Sequence, residues 1–243
     1  MKFRWSPAPP QPLLAGQLAS QLKISPLLVQ CLLNRGLSEP AAIGRFLQPR
    51  LKNLADPFLL PDMDAAVGRL LRAREQNESL VIFGDYDVDG VTSTALLLEV
   101  LRPLGWRVDF YLPSRMDEGY GLSVDGVQNC LKKYPTTLLL AVDCGSTAVE
   151  TIAALRTRGV DTIVLDHHQV SNPAPAAVAL VNPQVAPEIA NQKTEIGNFQ
   201  ERCSAGLAFK LAHALVKRGR EINLPGAADF VLRPLLDLVA LGG

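Results

Sequence analysis

Between residues 80 and 165, short apolar runs alternate with stretches of helical periodicity. Short apolar runs are typical of strands buried on both faces, and their alternation with helices is typical of βαβ units. We therefore predict an α/β fold with a parallel sheet flanked by helices. The predicted strands are 80–83, 108–112, 138–142 and 162–165, and the predicted helices are 92–101, 123–133 and 146–158.

The sequence on either side of this alternation predicts further elements. Residues 1–12 are rich in proline, and short helical pieces follow up to about residue 60. We expect a small helical N-terminal region at 1–60 and an α/β domain at 61–243. Downstream we predict one more strand at 177–181, a loop at about 183–202, and two helices at 204–217 and about 227–241.

Charge and cysteine usage exclude several classes of protein. The 243 residues include 24 basic and 24 acidic side chains, so no global field draws the chain onto nucleic acid, and any such contact needs a local patch. The four cysteines form no Cys-x-x-Cys pair, which disfavours a zinc ribbon and a disulfide framework. We expect a reducing, cytoplasmic setting.

The sequence also gives no sign of membrane association. Pro7, Pro9 and Pro10 interrupt the apolar core that a signal peptide needs. No apolar run approaches the roughly 18 residues that span a bilayer. We therefore expect no membrane partner.

Acidic and histidine residues follow three of the predicted strands. They are Asp85, Asp87 and Asp89 after the first, Asp143 after the third, and Asp166, His167 and His168 after the fourth. The carboxyl ends of parallel strands meet at one edge of a sheet, where ligands bind. Carboxylates this close repel one another unless a cation is present, and carboxylate oxygen with imidazole suits Mn²⁺ or Mg²⁺. We predict two such ions, because the ligands exceed what one ion needs.

Spacing suggests roles for these side chains. In an extended segment residues i and i+2 point the same way, so Asp85 and Asp87 can share one metal region, with Asp89 as a third ligand or a supporting group. By the same rule His167 and His168 point in opposite directions. One imidazole can then bind metal while the other supports it or faces the scissile phosphate.

A helix that begins near Gly90 adds a predicted anion site. Gly90, Thr92 and Ser93 stand at this helix start, where free backbone N–H groups can bind phosphate beside the metal ions. A phosphate-containing substrate fits this arrangement.

Each motif alone has a simpler interpretation. The acidic loop resembles part of a calcium loop, but it continues into Leu96 and Leu97 and lacks the closing glutamate. Asp143 alone is typical of a helix-capping turn, and an isolated histidine pair is a weak signal. The conjunction of the three at successive strand ends favours function. His213, on an apolar helix face, is interpreted as a packed histidine.

The three clusters, in this order, resemble the motifs of the DHH phosphoesterase superfamily, and within it the single-stranded-DNA-specific exonucleases. They read FGDYDVDGVTSTALL at 83–97, VDCGS at 142–146 and LDHHQ at 165–169. Further similar segments are PSR at 113–115, EGYGLS at 118–123, VNP at 181–183 and AGLAF at 205–209. The resemblance makes the domain at 61–243 a DHH-type phosphoesterase domain.

The resemblance implies Mn²⁺- or Mg²⁺-dependent hydrolysis of single-stranded DNA from 5′ to 3′ in repair and recombination. It implies Asp85, Asp87, Asp143 and His167 as metal ligands, and Asp89 and His168 as catalytic residues close to metal or phosphate. Arg115 is similar to an arginine near the substrate. Single-stranded DNA is the implied partner, and a single-stranded-DNA-binding protein is a second candidate.

Two departures from the family pattern leave alternatives open. Cys144 stands where the family usually has asparagine, and the run 236–242 resembles one that leads to a fourth metal-binding aspartate, which this sequence does not reach. We therefore expect one ion to be held less well. The alternatives are a DHH phosphatase or oligonucleotide hydrolase acting on small substrates, and an inactive fragment or scaffold that keeps the fold.

Overall fold

The computed structural model of the chain describes residues 6–185 and 203–243. It divides into two compact units, Met1–Leu54 and Ala55–Gly243. The boundary predicted between residues 60 and 61 stays a prediction.

The first unit is built from three short helices, α1 (Pro12–Leu22), α2 (Pro26–Asn34) and α3 (Pro40–Leu47). Each begins with proline, which suits a first helical turn because its fixed φ is helical and the N–H it lacks would be unpaired there. The helices bury a common apolar cluster that includes Val29 and Ile43. This cluster gives the unit a small core of its own.

The second unit contains a five-stranded sheet in the order β2-β1-β3-β4-β5, and every neighbouring pair is parallel. The strands are β1 (Ser79–Gly84), β2 (Arg107–Tyr111), β3 (Leu138–Val142), β4 (Asp161–Leu165) and β5 (Ala179–Val181). The central strand β3 is buried along its whole length, as its continuous apolar run requires. The predicted parallel α/β sheet is confirmed.

Helices cover both faces of this sheet. They are α4 (Met63–Glu75), α5 (Val88–Leu101), α6 (Arg115–Glu118), α7 (Val124–Lys133), α8 (Val149–Thr157), α9 (Ser204–Glu221) and α10 (Leu236–Gly242). Helices α7 and α8 pack on one face over Phe83, Leu139 and Val164. The connection from β1 to β2 runs along the sheet in the opposite direction to the later connections, and such connections are almost always right-handed. Helix α5 is therefore expected on the other face, and it packs against α9 and α10.

The strand order reverses between β1 and β3. The chain leaves β1 toward β2 on one side and returns to β3 on the other. Such a switch point opens a crevice at the carboxyl ends of the two strands, where α/β proteins bind ligands. Asp85 follows β1 and Asp143 follows β3, so both lie at this crevice.

One predicted helix is much shorter in the structure. The helix expected over 227–241 begins only at Leu236, after a single 3₁₀ turn over Arg233–Leu235. Pro234 within that turn has no N–H to donate to a continuous helix. Most of the loop predicted at 183–202 lies outside the described residues. In the part of the chain that is described, no helix has the length and apolarity to cross a bilayer.

Candidate metal centre

The end of β1 places two carboxylates beside each other. Asp87 is the N-cap of α5, and its carboxylate accepts a hydrogen bond of 3.0 Å from the N–H of Gly90. Gly90 packs directly on the backbone of Asp85, where an added Cβ would lie 2.5 Å from the Asp85 carbonyl oxygen. This close approach turns the chain back on itself and brings the buried Asp85 near Asp87.

Asp143, after β3, has an unusual backbone and a buried side chain. Its φ is 62°, in the left-handed region that aspartate tolerates better than most residues. The residue is 3% exposed, and this burial raises the pKa of its carboxyl group despite hydrogen bonds from His167 and Ser204. The nearby Asp87 and Asp89 raise the pKa further. A cation at this position would relieve both effects.

The residues after β4 form a hydrogen-bonded group around Asp166. Its buried carboxylate accepts bonds from the N–H of Ser146 at 3.1 Å and from Nδ1 of His168 at 2.7 Å. Burial by itself would raise the pKa of Asp166, but these hydrogen bonds outweigh burial and lower it. An ionised carboxylate only accepts, so Nδ1 of His168 carries the proton in this pair. Asp166 therefore orients His168.

The three strand ends converge on Asp143. Possible ligand atoms lie within 4.8 Å of one another in two groups. The groups are Asp85, Asp87 and Asp143, and Asp143, His167 and His168. Nε2 of His167 lies 3.4 Å from Oδ1 of Asp143, and this contact raises the pKa of His167. The donor set of carboxylate oxygen and imidazole fits Mn²⁺ or Mg²⁺, and the ligand roles of these residues stay predictions.

The expectation that His167 and His168 point in opposite directions is wrong. Their ring centroids are 4.4 Å apart, and a nitrogen of each ring lies within 4.0 Å of Asp143. The alternation rule holds only for extended backbone, and the chain leaves β4 at Leu165 and bends at His168.

Asp89 connects α5 to the start of α9. Its Oδ2 accepts a bond of 2.8 Å from the N–H of Ser204, and its Oδ1 accepts one of 2.7 Å from the N–H of Ala205. Oδ2 also lies 3.7 Å from Nε2 of His167. Asp89 is thus beside the metal groups, with both oxygens engaged in capping α9. Its catalytic role stays a prediction.

The predicted anion site at the start of α5 is largely occupied by the fold itself. The N–H of Gly90 is bound by Asp87, so the expectation of a free N–H there is wrong. The hydroxyl of Thr92 donates to the carbonyl of Val88 at 2.7 Å, and Ser93 is fully buried. The substrate-binding roles of Gly90, Thr92 and Ser93 stay predictions that this geometry does not support.

A cavity of about 440 Å³ opens beside the centre. Asp143, Asp166 and His168 line one side, and the segment leading into α8 lines another. Tyr120, which is 65% exposed, stands at its wall and contacts Tyr86 edge to face, with ring centroids 6.2 Å apart. Arg115 is the first residue of α6, and its side chain lies outside what the structure describes.

No role is assigned from the sequence to three residues that support the centre, namely Asn182, Ser146 and Ser204. Asn182 is fully buried and its amide donates to Oγ of Ser146 and to the carbonyl of His168, both at 2.8 Å. Ser204 donates its hydroxyl to Oδ1 of Asp143 at 2.7 Å. Asn182 and Ser146 belong to segments that resemble the family motifs. Ser204 has no such signal, because its contact spans 61 residues.

Comparison with models of protein families shows which family the chain belongs to. The model described as "DHH family, N-terminal domain" matches residues 79–242. The chain belongs to the DHH family. The resemblance predicted from the three motifs is thereby confirmed.

Curated relatives of this DHH chain include two exonucleases. The single-stranded-DNA-specific exonuclease RecJ of Bacillus subtilis (strain 168) is 35% identical over 241 residues, which are 99% of this chain and 28% of the relative. The protein of the same name from Escherichia coli (strain K12) is 32% identical, over 90% of this chain and 37% of the relative. The DHH chain therefore spans about a third of the length of these relatives.

Solved structures agree with the fold. A structure of exonuclease RecJ bound to manganese matches with a TM-score of 0.61 and 33% identity, over 75% of this DHH chain and 42% of that one. RecJ from Thermus thermophilus in complex with Mn²⁺ matches with a TM-score of 0.70 and 27% identity, over 96% of this chain and 30% of that one.

Proposed function

We propose that this DHH chain carries the catalytic centre of a Mn²⁺- or Mg²⁺-dependent exonuclease that hydrolyses single-stranded DNA from 5′ to 3′. The observation that carries the proposal is the convergence of three strand ends on Asp143, in two groups of possible metal ligands. The relatives named as single-stranded-DNA-specific exonucleases support the substrate. Repair and recombination are the setting that we propose for it.

We assign the metal ions to the carboxylates and the first imidazole of the cluster. Asp85, Asp87, Asp143 and His167 would hold two ions, with Asp143 shared between them. When bound, such ions lower the pKa of a water molecule and stabilise charge on the attacking and leaving oxygens of a phosphodiester. The solved structures that contain Mn²⁺ support this choice of ion.

The protein's own side chains supply orientation and charge. Asp166 fixes the His168 ring by the 2.7 Å bond to Nδ1, so the imidazole is held at the cavity wall and can face a phosphate. Asp89 lies against His167 and limits the movement of that ligand. We place the scissile phosphate at the cavity opening near Asp143, with Arg115 as a candidate contact for it.

The cavity also suggests how a single strand would be accommodated. The exposed ring of Tyr120 at the cavity wall is a surface on which an unpaired base can stack. A base within a duplex is stacked on its neighbours and is not free to do so. The chain has no excess positive charge, so contact with DNA needs a local feature such as this ring. An exposed stacking surface supports single-stranded DNA as the substrate.

Hydrolysis of labelled oligonucleotides with Mn²⁺ tests the proposal. We expect a 5′-labelled single strand to release its label as a mononucleotide, and a matched duplex to resist. A single strand with a blocked 5′ end that is degraded from its 3′ end would overturn the polarity. Cleavage of a dinucleotide, with a long single strand left intact, would instead support the small-substrate alternative.

We also propose a cellular location and a protein partner. We propose a cytoplasmic location, since the four cysteines are all free and Cys130 and Cys144 are buried as thiols. We propose a single-stranded-DNA-binding protein as a partner because it would present the substrate strand. A pull-down in the absence of DNA tests this partner, and no retained binding would contradict it.

A further inference from the structure

We infer that Ser204 is a positioning residue of the proposed metal centre, whose hydroxyl fixes the carboxylate of Asp143. The inference rests on the proposed function, because it names the residue that orients a proposed metal ligand. Ser204 is the first residue of α9 and is completely buried. Its Oγ donates to Oδ1 of Asp143 at 2.7 Å, a short distance typical of a hydroxyl bonded to a charged acceptor.

Ser204 is itself held in place from a second direction. Its N–H donates to Oδ2 of Asp89 at 2.8 Å, and the next N–H, of Ala205, donates to Oδ1 of the same carboxylate at 2.7 Å. Asp89 lies on α5, so this pair of bonds joins the starts of α5 and α9. The Ser204 hydroxyl therefore approaches Asp143 from a fixed backbone.

The fixed hydroxyl matters because Asp143 belongs to both groups of possible ligands. Its carboxylate lies within 4.8 Å of possible ligand atoms of Asp85 and Asp87 and also of the two histidines. A carboxylate at the end of a single side chain can rotate, and a bond to one oxygen restricts that rotation. Ligands are commonly oriented by such supporting hydrogen bonds.

The charge of the site favours the same role. The Ser204 hydroxyl donates to the Asp143 carboxylate, and a donated hydrogen bond stabilises negative charge on the acceptor oxygen. The N-terminus of the 18-residue α9 adds a positive end of a helix dipole beside Asp89 and Asp143.

Competition between the Ser204 hydroxyl and a metal ion would change the metal affinity in the opposite direction. If the Ser204 hydroxyl competed with an ion for Oδ1, its removal would strengthen metal binding. The inference predicts weaker binding, so the direction of the change separates the two.

Mn²⁺ titration followed by electron paramagnetic resonance tests the inference. We expect Ser204→Ala and Ser204→Gly to raise the dissociation constant for Mn²⁺ by roughly tenfold or more, as for other supporting bonds to metal ligands. Ser204→Thr, which keeps a hydroxyl, should recover most of the affinity. Circular dichroism confirms that each variant is folded.

The matched control is Thr137→Val. The Thr137 hydroxyl also donates to a carboxylate, that of Glu78 at 2.9 Å, but just before the amino end of β3 instead of after its carboxyl end. This variant should bind Mn²⁺ as the native chain does.

Two outcomes would overturn the inference in distinguishable ways. Folded Ser204→Ala and Ser204→Gly chains that bind Mn²⁺ as tightly as the native chain, or more tightly, would overturn the role of Ser204 alone. A native chain that binds no Mn²⁺ would overturn the proposed metal centre and this role with it.

Discussion

Replacing Gly90 by alanine should destabilise the second unit and distort the metal centre together. A Cβ at this position would lie 2.5 Å from the carbonyl oxygen of Asp85, and 2.7 Å from its carbonyl carbon and its nitrogen. Ordinary contact begins near 3.4 Å, so α5 and the end of β1 must separate by about 0.9 Å. All three atoms are backbone, and no side chain can rotate away to make room.

The size of the effect follows from this overlap. Overpacking a well-packed site costs about 1–3 kcal/mol, and we place Gly90→Ala at about 3 kcal/mol because the backbone itself must move. In a unit of this size each kcal/mol lowers Tm by about 2–4 °C, so we expect a fall of about 6–12 °C. The same shift moves Asp85 away from Asp87, and Mn²⁺ affinity should fall as well.

Gly68→Ala is the matched control. Gly68 lies within α4, and a Cβ there would meet nothing within 4 Å. The identical chemical change should therefore stabilise the helix by about 0.5–1 kcal/mol and leave Mn²⁺ binding unchanged. Thermal unfolding by circular dichroism measures both variants. A Gly90→Ala chain with the Tm and Mn²⁺ affinity of the native chain would refute the reasoning.

Two further predictions concern acid stability and thiol reactivity. The Arg69 guanidinium is bonded to Glu78 and lowers the pKa of that carboxyl group. The pair therefore stabilises the fold fully above the ordinary glutamate pKa of 4.5, and this stabilisation is lost as the pH falls through the lowered pKa. The difference in Tm between the native chain and Glu78→Gln should shrink on acidification below that pH, and a constant difference would contradict the pairing. Burial raises the pKa of the Cys130 thiol to about 12 and also raises the pKa of the Cys144 thiol. A disulfide reagent should therefore modify the exposed Cys31 first, and it should leave Cys130 and Cys144 unmodified until the chain unfolds. Equal rates for the three thiols in the folded chain would contradict that burial.

The sequence predicts the sheet well because the strands are short apolar runs bounded by polar residues. The run at 138–142 coincides with β3, and the acidic residues after β1, β3 and β4 meet where parallel strands end. Both conclusions need only local periodicity and the geometry of parallel sheets.

Side-chain orientations and hydrogen bonds are predicted less well where the backbone leaves regular secondary structure. The opposite orientation expected for His167 and His168 is wrong because the chain bends after β4. The free N–H expected at Gly90 is bound by Asp87, since a helix start satisfies its own donors with a capping side chain.

Supporting contacts between distant segments leave no local pattern. Asp89 and Ser204 are 115 residues apart in the sequence, and their bond depends on how α5 and α9 pack. Asp89 therefore looks like one more carboxylate of the acidic motif, and only the structure shows that it caps α9. The same holds for Asn182, which reaches Ser146 across 36 residues.

Hydrolysis by the Asp143→Ala chain tests the central claim most directly. Asp143 belongs to both groups of possible ligands, so its loss should remove Mn²⁺-dependent cleavage of a 5′-labelled single strand by several orders of magnitude. The fold should persist, because the loss of an unfavourably buried carboxyl group offsets the cost of alanine at a φ of 62°. A folded Asp143→Ala chain that cleaves the strand at the native rate would contradict the assignment of this centre.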